Sequence, residues 1–176
     1  MVDLTGRVIN APQTTPQTDE ERRKAAQLRE QVFASLLETM KNETNSELRG
    51  IAMNSLVRMQ PGRVIEPLVE IVLKDKDPQM RRDALSSLAG QPGTASREAL
   101  LKLYDELEDV EFKTAILRLL GSRRSGNFEN DLASTEQWVA KLQQIAKESP
   151  SRELKVEAIR QLGRVGENLQ ESPREK

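Results

Sequence analysis

Neither cysteine nor histidine occurs anywhere in the 176 residues. Their absence removes thiol nucleophiles, imidazole acid–base chemistry, disulfides and zinc sites built on Cys or His. It leaves the compartment open, because a cysteine-free chain suits cytoplasm and periplasm alike. Aromatic residues amount to only 3%. The core must therefore be built from Leu, Ala, Val, Ile and Met, which suits close-packed helices better than a β-sandwich. No run approaches the roughly 20 apolar residues of a membrane span. The opening stretch MVDLTGRVINAPQTTPQ lacks the basic-then-apolar order of a secretion signal. The expectation is a chain with no membrane association, cytoplasmic by default, or periplasmic if it is a piece of a longer protein. A formal net charge of −1 gives no overall attraction to nucleic acid or anionic lipid.

What is present is charge, at 31% of residues, and aliphatic side chains at helical spacing. Residues 1–18 carry prolines and a Thr/Gln-rich tract with little to bury, and read as a disordered arm. Thr18-Asp19 then offers an N-cap, with Glu20 and Glu21 where the helix dipole favours acid. From there to about Asn42, Leu28, Val32, Phe33, Leu36, Leu37 and Met40 make one apolar stripe.

Beyond Asn42 a repeat governs. Leu48, Met80, Phe112 and Leu154 stand in register at intervals of 32, 32 and 42 residues. Later in each segment come Ala52/Met53/Leu56, Ala84/Leu85/Leu88, Ile116/Leu117/Leu120 and Ala158/Ile159/Leu162. Before each register point stands a capping side chain: Asn45, Asp77, Asp109 and Ser151. After it stands a cation: Arg49, Arg81, Lys113 and Lys155. Apolar, capping and basic columns holding one register mark an array of repeats. Between these first-type helices lie second-type helices, starting near Arg63, Ala95 and Thr135, in which Leu68, Leu100 and Leu142 keep the same offsets. The extra ten residues of the last interval fall in Ser122–Ser134, the one long internal connection. The array spans 19–166, and 167–176 return to a polar, disordered tail.

The segments VIEPLVEIVLKDKDPQMRRDALSSLAG, DVEFKTAILRLLGSR and SRELKVEAIRQLGRVG resemble HEAT repeats, particularly the short bacterial type called PBS-lyase HEAT-like repeats. The resemblance covers about 44–166. It departs from the pattern at Val57, where later units have Gly121 and Gly163, and in the last unit, which lacks an Asp-Pro turn. It implies an all-α, right-handed α-solenoid of about eight helices in antiparallel pairs, whose second helices line a concave binding surface. It also implies a non-catalytic scaffold or adaptor for other macromolecules, with no cofactor and no metal.

Several residues are candidates for more than packing. The basic column Arg49–Arg81–Lys113–Lys155 reads either as a phosphate-tracking stripe or as a structural ladder, each cation near a neighbouring cap such as Asp77 or Asp109. Charge favours the ladder. First-type helices hold twelve Lys/Arg against five Asp/Glu, second-type helices six against nine, so the expected concave side is mildly acidic. An acidic groove repels phosphate, which supplies most non-specific nucleic-acid affinity. Tyr104 and Trp138 are candidate interface anchors, with core packing as the alternative. Arg123, Arg124 and Phe128 make the long connection a candidate recognition loop. Glu66, Glu70, Asp105 and Glu106 could pair as acid and base only inside a closed pocket, which no motif supplies. Expected partners are another protein or a further part of a longer chain. Nucleic acid on the basic first-helix face is the second reading. The last helix, with Leu154, Ala158, Ile159, Leu162 and Val165 and no second-type helix after it, is expected to self-associate or meet a further repeat.

Overall fold

Most of the helices begin where a short polar side chain can hold the free amides of a first turn. The computed structural model describes residues 18–121 and 132–171, without the side chains of 132–134 and 168–171. Among the described residues it holds eight helices: α1 (Asp19–Asn42), α2 (Ser46–Met59), α3 (Ile65–Lys74), α4 (Pro78–Ala89), α5 (Thr94–Glu106), α6 (Val110–Leu120), α7 (Leu132–Glu148) and α8 (Arg152–Glu171). Thr18 caps α1 through a reciprocal pair: its Oγ1 accepts from the Glu21 amide at 3.2 Å, and its own amide donates to Glu21 Oε2 at 3.0 Å. Asn45, Asp77 and Asp109 each accept the amide two residues on, all at 2.8 Å. Ser151 accepts from Leu154 at 3.4 Å. Pro78 takes the first position of α4, where no amide is needed. α3 and α5 have no side-chain cap. Their entries instead turn through Gly62 and Gly93, both at φ near +90°, a conformation that a β-carbon disfavours.

The capped turns are short, so the helices they join fold back on each other. α1 packs closely on α2, α3 on α4 and α7 on α8, with α5 against α6 more lightly. The chain is therefore four hairpins. They stack in order: α2, α4, α6 and α8 lie side by side, and α3 lies beside α5. This is an α-solenoid, with one continuous apolar core running through Phe33, Met40, Leu56, Leu68, Leu88, Leu100, Leu120 and Leu142.

Two boundaries depart from the sequence reading. α7 starts at Leu132 rather than near Thr135, since Leu132 and Ala133 are strong helix formers. α8 continues to Glu171, through residues that composition assigned to a tail. Glu, Leu and Gln extend a helix without needing burial, and no proline or glycine stands between Gly166 and Pro173. α8 pairs with α7, which precedes it, and no described helix follows it.

Candidate interaction surface

The basic column can be placed residue by residue. Arg49 Nε donates to the carbonyl of Met40 at 2.9 Å, and Arg81 Nε to that of Val72 at 2.7 Å. Met40 and Val72 are equivalent positions near the ends of α1 and α3. Lys155 Nζ donates to the Lys147 carbonyl at 3.1 Å, near the end of α7. Lys113 places its ammonium 4.9 Å from the Tyr104 ring centre, at the matching point of α5. Each cation thus sits at the C-terminal end of the preceding helix, where unpaired carbonyls and the dipole favour positive charge. Of the neighbouring caps that the sequence reading placed near these cations, Asp77 lies within electrostatic reach of Arg49. A hydrogen-bonded aspartate enters only at Arg49, which forms a two-pronged ion pair with Asp75. Asp75 Oδ1 also accepts the Asp77 amide at 2.9 Å. The Arg49 bond holds the Asp75 carboxyl below the ordinary range.

Rings and cations add a second set of links. The Arg63 guanidinium lies 4.1 Å from the Phe33 ring centre, and that of Arg81 lies 4.2 Å from that of Phe112. Ser46 Oγ donates to Asp77 Oδ2 at 2.7 Å, joining the starts of α2 and α4. The Gly62 amide donates to Gln91 Oε1 at 3.2 Å, joining the turns that lead into α3 and α5. Polar side chains here hold successive hairpins together.

The candidate anchors fare differently. Trp138 is 1% exposed and Tyr104 7%. Both belong to the core, and burial overturns the reading of either as an interface anchor. Burial also raises the Tyr104 hydroxyl above its ordinary pKa. Arg123, Arg124 and Phe128 lie outside the described residues. The carboxylates Glu66, Glu70, Asp105 and Glu106 are not gathered into one site. Glu70 pairs with Lys41, and Asp105 with Lys141 at 2.6 Å. Among the described residues no group of Asp and Glu could hold a metal ion, and no helix is long and apolar enough to cross a membrane.

What sequence reasoning missed is the apolar surface left open on the first hairpin, whereas the open surface at Ile159 on the last was expected. Large exposed apolar side chains among the described residues are Leu28 and Val32 on α1, Leu48 and Ile51 on α2, and Val156 and Ile159 on α8. They belong to the first and last hairpins. The α1 stripe is thus only partly covered, with Leu28 and Val32 left open. Beside Val156, between α6 and α8, an open cleft of about 450 Å³ is lined by Arg118, Arg152, Glu153, Glu157 and Arg160. Glu157 is buried there and accepts from Arg118 Nε at 3.2 Å and Gln161 Nε2 at 2.7 Å.

A family model for HEAT repeats matches residues 33–121. No curated protein and no solved structure matches the chain. HEAT repeats generally serve as protein-interaction scaffolds and are typically non-catalytic. With the family model covering half its length and its repeat columns buried in register, the chain belongs to the HEAT-repeat family.

Proposed function

We propose that this protein is a non-catalytic interaction scaffold that meets another polypeptide through its terminal hairpins. One observation carries the reading: the large apolar side chains left exposed among the described residues are confined to α1, α2 and α8. Exposed apolar surface grouped in this way marks contact sites. The partner is another protein, a further part of a longer chain, or a second copy met through α8. Cross-linking of the whole chain in native extract, repeated with Leu28→Glu/Ile51→Glu, tests it. A captured protein lost in the variant supports the scaffold. Capture equal in both, or none, overturns it.

Nucleic-acid binding is the second reading, favoured by exposed Arg58, Arg82, Arg118, Arg152, Arg160 and Arg164 on the α2, α4, α6 and α8 layer. Against it, the four cations of the repeat column are spent on the preceding helices. Binding to random duplex DNA that weakens steeply with salt would reverse this preference.

A further inference from the structure

Equivalent positions in the four hairpins differ in burial in a way that gives each unit two unlike sides. Met80, Phe112 and Leu154 are buried, but Leu48, at the same position in the first unit, is 46% exposed. Val64, Ser96 and Trp138 are buried, but Val32, at their position in the first unit, is 48% exposed. These two columns are covered wherever a hairpin precedes, so they form the backward-facing side of a unit. Met53, Leu85 and Leu117 are buried, whereas Ile159, their equivalent in the last unit, is 59% exposed. That column is covered wherever a hairpin follows, and it forms the forward-facing side.

The chain thus carries both halves of one internal interface, each uncovered at opposite ends of the stack. We infer that the occupant of each open end is a second copy of this chain, joined head to tail. The Val32/Leu48 side of one copy lies on the Ile159 side of the next and continues the columns across the junction. The inference rests on the proposal that the terminal hairpins are contact surfaces, and it names what covers them. The packing match is the argument for self over foreign partner, because a forward-facing side already receives this type of backward-facing side at successive junctions in the stack. The two surfaces differ, so the contact is heterologous and adds copy to copy, into open chains unless the rotation per copy closes a ring.

Sedimentation velocity of the whole chain across a concentration series tests this, with Val32→Glu/Leu48→Glu as the backward-side variant and Ile159→Glu as the forward-side variant. All three positions are already exposed, so the fold should persist, as far-ultraviolet dichroism will verify. Ser in place of Glu serves if either variant unfolds. The wild type should show mass rising with concentration. Each variant alone should be monomeric, with its dissociation constant raised about tenfold or more by a charge placed in an apolar contact. An equimolar mixture of the two variants should form dimers and nothing larger, because it retains one intact pair of surfaces.

A wild type that stays monomeric overturns the inference. So does a single variant that still assembles, or a mixture that stays monomeric while the wild type assembles, since both mean a contact of another geometry. The scaffold reading fails separately. A monomeric chain that still captures a foreign protein through its end residues loses only the head-to-tail contact. A self-assembling chain that captures nothing keeps it.

Discussion

The side-chain amide of Gln161 fills the space that a β-carbon on Gly121 would need. Gly121 closes α6, and Gln161, fully buried on α8, is tethered there by its bond to Glu157. Glycine is therefore favoured at this position for room rather than for backbone shape, since its φ is −86°. Gly121→Ala should destabilise by about 1–3 kcal/mol, the usual cost of overpacking. Combining it with Gln161→Ala should recover part of that loss. A double-mutant cycle by urea melting checks the coupling, and strict additivity would show that the two sites do not press on each other.

Asp75 and Arg49 give the fold an acid-sensitive link. Asp75→Asn should cost about 1.5–3 kcal/mol near neutral pH, the range for a hydrogen bond to a charged group. The Arg49 bond lowers the Asp75 pKa in the folded state, so its contribution is fully present above the unfolded value of roughly 3.9. It is lost as pH falls through the lower folded value. The gap in stability between wild type and Asp75→Asn should therefore close below about pH 4, as followed by urea melts at stepped pH. A gap unchanged at low pH would rule out the ion pair as its source.

Arg81 makes two contacts that a lysine cannot reproduce together, a directed Nε bond to the Val72 carbonyl and a flat face on Phe112. Arg81→Lys should lose about 1 kcal/mol, and Arg81→Ala about 2. Thermal melts decide the order. Equal losses would mean that the positive charge at the end of α3 contributes nothing.

Leu88 and Leu120 are fully buried at one repeat position, and truncation of either to Ala should cost about 2–5 kcal/mol. Asp77→Ala removes a cap and the Ser46 contact, and should cost about 1–2 kcal/mol. If the cap change proved the larger, the stack would be held by its turns rather than by its core.

Trp138 is the single tryptophan, and its burial makes it a reporter of the last hairpin. Its emission should be blue-shifted and shielded from iodide in the native protein, and should move red on unfolding. Native emission already at the red, water-exposed limit would contradict its place in the core.

The sequence made the local chemistry of the fold legible. Asn45, Asp77, Asp109 and Ser151 could be recognised as caps because a cap needs only a short polar side chain and its own next turn. The apolar columns could be recognised because helical period is local too. Whether a column is covered depends on a neighbour in space. Val32 and Val64 hold the same residue type at the same register, yet only the second is buried. Trp138 carried a usable signal, since the offsets that align Leu68, Leu100 and Leu142 also align Val64, Ser96 and Trp138. The carbonyl partners of Arg49 and Arg81 carried none, because every residue has a carbonyl and only geometry selects one. Of the candidate interaction surface, the open end at Ile159 could be anticipated, and the one at Val32 and Leu48 could not.

Among the described residues the links between hairpins reach one unit along the stack and stop there: Ser46 to Asp77, Gly62 to Gln91, Arg118 to Glu157. Cooperativity in such a molecule is handed from neighbour to neighbour, with no long-range closure to make the whole open at once. The middle hairpins are braced on both sides and the outer two on one. Amide hydrogens should therefore exchange in a gradient, fastest in α1 and α8 and slowest in α4 and α6, so that melting advances inward from the two ends.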